Sequence, residues 1–337
     1  MATFKRAKFI AETIDSLIPQ LRDGMELVIV DGASPDDTHE VVESYAARHP
    51  AIRYYRESVN SGIDGDYDKA VGYASGEYCW LVPDDDLLAP GSVDRVWAEI
   101  ADSAPDLVVV DAEVRDITLK RVLKPKRLNF DEVRRYGPEN ADALLKDTGD
   151  ALTFIGCVII RRDVWMARER QKYYGTVFIH VGVIFQNPLL ANVVVIPQPL
   201  VVIRLGNAMW TPKAFEIWMF KWPELVWSFE GYTAEARRSV VPRYPFRDLK
   251  TMLLYRANGA YSISEYRNYF GSRDLGSWRQ VLLLIAFLPG RLLNFLFLAY
   301  IAARGRAGGM FAYVLVRSRF TNRASRLLLK LTGAKNL

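Results

Sequence analysis

Cysteine is nearly absent: the 337 residues hold two, Cys79 and Cys157, both inside apolar runs and in no Cys-x-x-Cys spacing. That argues against a disulfide framework or a zinc site, and for a reducing compartment. Histidine is almost as scarce, with only His39, His49 and His180. No Gly-x-Gly-x-x-Gly follows a first strand, which disfavours a dinucleotide-dependent oxidoreductase. The opening MATFKRAKFIAETIDSLIPQ carries basic residues but no continuous apolar stretch, so it does not read as a signal peptide. Acid is missing altogether from Leu275 to Leu337. There Arg279, Arg291, Arg304, Arg306, Arg317, Arg319, Arg323, Arg326, Lys330 and Lys335 supply ten positive charges. With the whole chain at +5, residues 1–274 carry −5, an acidic body joined to a basic tail.

The tail also holds two apolar stretches, Val281 to Leu288 and Leu292 to Ala303, divided by Pro289-Gly290-Arg291. Each is too short to cross a bilayer, and the break falls where a spanning helix should be continuous. Short apolar helices flanked by Arg suit a segment lying in the interface of an anionic leaflet. Ordinary core helices, and a genuine span or re-entrant hairpin, are the alternatives. Nucleic acid is a poorer partner, because the apolar residues are mainly Leu and Ala rather than aromatics interleaved with cations.

Half the residues are apolar and a quarter charged, a globular composition with room for one large α/β domain and an appendage. Helix-like and strand-like stretches alternate over the first hundred residues. Residues 6–18 space Phe9, Ile10, Ile14, Leu17 and Ile18 as a helix closed by Pro19. Glu26 to Val30 reads as a buried strand ending at Asp31-Gly32, and Ser34-Pro35 as the start of a second helix. Residues 52–55 read as a strand, Asn60-Ser61-Gly62 as a turn, and 66–74 as a helix. This alternation implies an α/β fold with a mainly parallel sheet flanked by helices.

Three consecutive acids, Asp84-Asp85-Asp86, end the apolar run Tyr78 to Val82. A strand ending in packed carboxylates places negative charge at the carboxyl edge of a sheet, where open α/β folds bind ligands. Adjacent acids repel, and a divalent cation is a common way to hold such a cluster ionised. Mg2+ or Mn2+ takes one or two carboxylates and completes its shell with water and phosphate oxygens. The alternative is a solvated acidic turn before the helix near Pro90. The metal reading requires the three side chains to share a focus.

Several runs together carry a family likeness: Thr3-Phe4-Lys5-Arg6-Ala7, Val28 to Thr38, Asn60-Ser61-Gly62, Ala74 to Tyr78 and Pro83-Asp84-Asp85-Asp86. In this order the sequence resembles a family 2 glycosyltransferase of GT-A fold, within it the abequosyltransferase-like branch that builds bacterial surface polysaccharides. The likeness covers residues 1–210; residues 211–274 read as a helical connector and 275–337 as the membrane-docking tail. It implies sugar transfer from a nucleotide-sugar donor, with Mg2+ or Mn2+ held through the triplet. Asp84 and Asp86 would be the metal ligands. Asp84 would thereby also contact the donor, and Asp85 would turn toward the sugar or support its neighbours. Asp31 would accept from the base or ribose, although a turn-forming role fits it equally. Thr3, Phe4 and Lys5 would border the same pocket, and Asn60, Gly62 and Asp64 would approach the donor, with a plain left-handed turn as the other reading of Gly62.

The sequence departs from the family pattern twice. The full first strand is missing ahead of Thr3, an expectation of a start assigned too late. The usual Glu-Asp pair has no counterpart; Thr176 to Gly182 stand in its place. His180 falls there, and neutral imidazole is suited to take a proton from a sugar hydroxyl; a buried histidine bonded to a carbonyl is the alternative, and Asp163 is the next candidate base. Arg204 is expected to clamp the diphosphate through its guanidinium fork. Asn207 and Trp210 are expected at the donor sugar or acceptor, unless they are a strand cap and a packed indole. Thr153 and Gly156 would line the acceptor side.

The leading expectation is a metal-dependent inverting glycosyltransferase, of hexosyl- or deoxyhexosyltransferase type. It would use a lipid-linked saccharide acceptor and lie peripherally on the cytoplasmic face of a bacterial inner membrane. A phosphatase is argued against by the companion motifs. The non-enzyme alternative is a membrane-peripheral assembly factor with a degenerate transferase domain.

Overall fold

A computed structural model describes residues 1–305 and 309–331. It divides into two compact units, Met1–Leu205 with Leu225–Val240, and Gly206–Glu224 with Val241–Leu337. The expected boundary at 210 therefore lies just past the division. The stretch 211–274 is not a separate connector: residues 225–240 return to the first unit, and the remainder joins the tail.

In the first unit, β1 (Ala2–Thr3), β2 (Leu27–Asp31) and β3 (Ile52–Arg56) form a parallel sheet in that order, with Ala2 opposite Val30 and Thr3 opposite Asp31. Of the first strand, the two residues Ala2 and Thr3 are present and pair with β2. All five residues of β2 are buried, as an apolar run covered on both faces should be. Helix α1 (Ile10–Leu17) buries Ile10, Thr13, Ile14 and Leu17, the stripe its spacing predicts. Helix α2 (Thr38–Ala46) starts later than Ser34-Pro35 suggested. The Ser34 amide is committed to Asp31 Oδ1 at 2.8 Å, and Ala33 sits in the left-handed region, so these residues form a turn rather than a cap. Helix α3 (Gly62–Tyr73) conversely begins earlier than expected.

The second sheet contains β4 (Tyr78–Trp80), β5 (Leu87–Leu88), β6 (Leu107–Arg115), β7 (Val122–Lys124), β8 (Arg134–Tyr136), β9 (Val158–Arg161) and β10 (Val193–Arg204). Its order is β4-β9-β6-β10-β5, with β7 on β6 and β8 on β10. The α/β reading holds, but parallel pairing is confined here to β6–β10; the other pairs are antiparallel. The β6–β10 register slips around Pro199, which has no N–H to give the ladder. Helices α4 (Ser92–Ser103), α5 (Ala141–Thr148), α6 (Arg162–Met166) and α7 (Ile179–Phe185) complete the unit with the helix Ala234–Val240. The strand expected over 152–160 begins only at Val158, after short 3-10 turns at Ala151–Thr153 and Ile155–Cys157.

The second unit is helical. One core collects Phe215, Phe220, Phe246, Tyr261 and Phe270. Phe215 stacks on Tyr261 with centroids 5.0 Å apart, and Phe220 on Tyr269 at 5.3 Å. Trp210 belongs to this unit: it is exposed and meets Trp218 edge-on at 6.0 Å. A smaller core joins Ala257, Leu298, Ala312 and Leu315 around the buried Asn294, whose side-chain amide donates to Leu315 O at 2.9 Å and Ala257 O at 3.3 Å. The apolar stretches of the tail form the helices Trp278–Phe287 and Gly290–Ala303, bent by 91° at the Pro289 break. No single helix among the described residues is long and apolar enough to cross a membrane. Of the basic tail residues, Arg306 and Lys335 lie outside the described residues, and the Lys330 side chain is likewise not described.

Candidate active site

The three aspartates lie between β4 and β5, and all are buried. They are held by two arginines distant in sequence. Arg6, in the loop after β1, places Nε 3.1 Å from Asp84 Oδ1 and an η nitrogen 3.0 Å from Asp85 Oδ2. Arg204, the last residue of β10, donates its backbone N–H to Asp86 Oδ1 at 2.6 Å. Its guanidinium donates to Asp85 O at 2.9 Å and Ile117 O at 3.0 Å, pairs with Glu12, and lies over the Phe9 ring. Asp84 and Asp85 therefore share a focus, the Arg6 guanidinium, while Asp86 is fixed by β10. Arg204 is brought to the site, but as a buried tie rather than the expected free diphosphate clamp, since its fork is already occupied by protein acceptors.

Electrostatics mark the cluster as strained in charge. Burial, then Asp85 beside it, pushes the Asp84 carboxyl up to about 7, with Arg6 opposing. Burial and Asp85 likewise raise Asp86, well above the usual carboxylate range. Hard oxygen donors crowded with negative charge are the right chemistry for Mg2+ or Mn2+. Among the described residues, however, no group of three or more His, Cys, Asp or Glu converges as a metal centre. The three side chains do not share one focus here, since Asp84 and Asp85 meet Arg6 while Asp86 meets the Arg204 N–H.

The remaining expected residues separate into neighbours of the cluster and props elsewhere. Thr3 ends β1, beside Asp84. Lys5 is exposed in a left-handed conformation with its Nζ 5.1 Å from the Phe4 ring centroid, and its N–H donates to Ser34 Oγ at 3.0 Å. Asp31 is fully buried, accepting from Ser34 N–H at 2.8 Å and from the Tyr54 hydroxyl at 2.7 Å. Both its oxygens have protein partners, the geometry of the turn-forming alternative. Asn60 Oδ1 accepts from the Gly62 N–H at 2.7 Å, and Gly62 has φ +79 with open space where a Cβ would stand, so this is an exposed turn. Asp64 does not face an open loop: it is buried and accepts from Val177 N–H at 2.9 Å and Ile179 N–H at 3.0 Å, holding the first turn of α7.

His180 lies in α7 with all its neighbours buried. Its Nε2 is 2.8 Å from Leu152 O; a carbonyl only accepts, so Nε2 carries the proton and Nδ1 is the acceptor nitrogen, without a partner among the described residues. Burial lowers its pKa to about 4, which leaves a neutral and weakly basic ring. A depressed pKa means that the unfolded chain binds the proton more tightly. Stability from this group is therefore complete above the ordinary value near 6.5 and is lost as pH falls toward about 4. The shift corresponds to about 3 kcal/mol. His180→Gln is expected to flatten the acid-side loss of stability by roughly that amount, read by urea denaturation between neutral pH and about pH 4; identical slopes in both proteins would contradict it. Asp163 is exposed at the start of α6 and paired with Arg161 at 2.8 Å, a helix-start acid.

At the two residues expected to line the acceptor half, Trp80 Nε1 donates to Gly156 O at 2.8 Å. A Cβ on Gly156 would stand 2.6 Å from the Phe154 ring and 2.9 Å from Pro83 Cδ, the residue just before the triplet. Gly156→Ala is expected to cost about 1–3 kcal/mol by overpacking, measured by chemical denaturation; no loss would show that Phe154 and Pro83 yield freely. Thr153 Oγ1 accepts from the Arg127 guanidinium at 2.7 Å. A separate cavity of about 420 Å³ is lined by residues including Arg168, Tyr173, Gln186 and Phe229, and by none of the expected site residues.

Sequence reasoning missed three features. Arg6, which joins Asp84 and Asp85, has no local sequence signal for that role. Asp66 abuts Gly32, where a Cβ would stand 2.5 Å from its Oδ2. Asp111, fully buried in β6, accepts from the Arg127 and Leu128 N–H groups at 2.8 and 3.1 Å, with burial raising its pKa.

Residues 1–166, which carry β1 to β9, Arg6 and the aspartate triplet, match the model of glycosyl transferase family 2. They are a family 2 glycosyltransferase domain. The chain is accordingly a glycosyltransferase, and its fold is GT-A. Abequosyltransferase RfbV of Salmonella typhimurium is 28% identical over 227 residues, covering 63% of this chain and 67% of that protein. A GalNAc(5)-diNAcBac-PP-undecaprenol beta-1,3-glucosyltransferase of Campylobacter jejuni is 29% identical over 92 residues, 27% of this chain and 30% of that one. The chain thus spans about two-thirds of one relative's length and under a third of the other's. Among solved structures, S. aureus TarS 1-349 in complex with UDP superposes with a TM-score of 0.53 at 13% identity, covering 99% of this chain and 90% of that one.

Proposed function

We propose that this family 2 domain is a metal-assisted, inverting glycosyltransferase. It would transfer a sugar from a nucleotide-sugar donor to a lipid-linked saccharide in the assembly of a bacterial surface glycan. The observation that carries the reading is the buried Asp84-Asp85-Asp86 cluster at the carboxyl end of β4, inside the region that matches the family. The relatives support the substrate classes: one is an abequosyltransferase, one is named for an undecaprenyl diphosphate-linked acceptor, and TarS has been solved with UDP and with UDP-GlcNAc.

In this reading Asp84 and Asp86 would hold Mg2+ or Mn2+, whose chemistry is Lewis-acid neutralisation of the departing diphosphate. Arg204 and Arg6 fix the carboxylates so that little reorganisation remains when the donor arrives. For the acceptor proton the candidates are His180 through Nδ1 and Asp85 at the cluster; transfer unimpaired in His180→Ala at saturating donor would remove the histidine. Thr3, Phe4 and Lys5 at the end of β1 border the donor side. The catalytic unit would work at the cytoplasmic face of the inner membrane.

Calorimetry with a panel of nucleotide sugars, with and without Mn2+ or Mg2+, tests the proposal. Binding that requires the metal is the expected result. Absence of binding under every metal condition would instead support an assembly factor with an inactive transferase domain.

A further inference from the structure

Helix Gly290–Ala303 has two apolar faces and only one of them is packed. Asn294 and Leu298 point into the small core and are fully buried. Leu292, Leu296 and Tyr300 recur every fourth residue, which places them on one stripe, and they are 54%, 51% and 48% exposed. The preceding helix, Trp278–Phe287, continues the pattern with Leu284 at 65% and Phe287 at 68%, and the helix Met310–Val316 adds Phe311 at 62%. A surface helix of a soluble domain turns polar residues outward; one that is apolar all round is buried or meets lipid. Six exposed large apolar side chains concentrated on three successive helices of one unit are what a contact surface requires.

Charge selects the partner. The described part of the tail carries Arg279, Arg291, Arg304, Arg317, Arg319, Arg323 and Arg326, with no acid from Leu275 onward. Arg304 lies over the Tyr300 ring at 4.7 Å, so a cation stands directly at the end of the stripe. Cations beside apolar side chains match an anionic leaflet, in which phosphates meet the guanidinium groups and acyl chains meet Leu and Phe. Neither helix crosses alone: the longer is 14 residues, about 21 Å, against about 30 Å of hydrocarbon, and the pair, which has the combined length of a broken span, bends by 91°. In a re-entrant hairpin the break Pro289-Gly290-Arg291 would be the deepest point, which would bury the Arg291 guanidinium at high cost.

We infer that Leu284, Phe287, Leu292, Leu296, Tyr300 and Phe311 form a face that inserts part-way into an anionic bilayer. The two helices of the bent pair lie in the interface plane, and the flanking arginines contact lipid phosphates. This deepens the proposed membrane placement by assigning the surface, and it rests on the second unit alone, independent of the transfer chemistry.

Co-sedimentation of the full chain with phosphatidylcholine vesicles, with and without phosphatidylglycerol, tests it. Expected are capture by the anionic vesicles, weaker capture by the neutral ones, and a loss of at least about tenfold in the Leu292→Glu/Leu296→Glu double variant. These positions are solvent-facing, so the variant's unfolding midpoint should match the parent's; a second variant, Arg291→Gln/Arg304→Gln, should weaken only the anionic component. Equal capture of parent and double-Glu variant, or no capture of the parent, overturns the inference. So does a concentration-dependent dimer in sedimentation velocity that the Glu variant abolishes, which would assign the stripe to a second copy of the chain. Metal-dependent donor binding measured on the same samples reports separately on the active-site proposal.

Discussion

Asp86→Asn is expected to reduce kcat/KM by about 10²–10³-fold, the several kcal/mol that a metal's charge contributes to a departing diphosphate. Asn keeps an amide oxygen where Asp86 Oδ1 accepts the Arg204 N–H, so the tie between the triplet and β10 survives. Lost is one negative charge from a pair of ligands, and with it most of the cation's affinity. Removing charge from a buried, crowded cluster also relieves repulsion, since Asp85 is the main neighbouring charge raising both Asp84 and Asp86. The unfolding midpoint should therefore hold or rise while metal-dependent donor binding collapses. Calorimetric Mn2+ binding in the presence of a nucleotide diphosphate is the direct readout. An affinity equal to the parent's would remove Asp86 from the metal site, whereas a protein that unfolds would show that its charge is structural.

How much of this was legible in the chain depends on the separation over which each residue acts. Features set within a few residues were readable: the buried stripe of α1, the all-apolar β2, the triplet at a strand end, and a tail whose apolar runs break at Pro289. Pairing direction was not. A buried strand looks the same whether its neighbour runs with it or against it, so β4, β9 and β5 gave no sign of antiparallel pairing. The contacts that organise the site are long in sequence: Arg6 reaches Asp84 across 78 residues, Arg204 reaches Asp86 across 118, and Asp64 supports α7 across 113 and 115. None leaves a local periodicity. Asp31 shows the reverse case, because its partner Ser34 N–H is three residues away, and the turn reading weighed from the sequence is the one observed. His180 likewise follows the carbonyl-bonded alternative in its geometry, because the surrounding apolar residues that suggested a tuned base are the ones that bury it.

Arg204→Ala should be the most destabilising single change near the site, by about 3 kcal/mol from lost buried hydrogen bonds and lost packing. The guanidinium is almost wholly inside the protein and donates to Asp85 O at 2.9 Å and Ile117 O at 3.0 Å, hydrogen bonds that truncation removes. Its pairing with Glu12 contributes little to the sum, because that carboxylate is 59% exposed and regains water. Loss of the cation also leaves Asp86 without one of the charges holding its pKa down. For a unit of this size the change corresponds to a fall in Tm of about 6–12 °C, and Arg204→Lys, which keeps the charge but not the fork, should lie between the two. Kinetics separate the buried tie from the diphosphate clamp that the sequence suggested. A tie predicts a lowered Tm with donor KM little changed below the transition; a clamp predicts a raised donor KM at an unaltered Tm. The second pattern would show that the guanidinium leaves its three protein partners when donor binds, and would return Arg204 to the phosphate site.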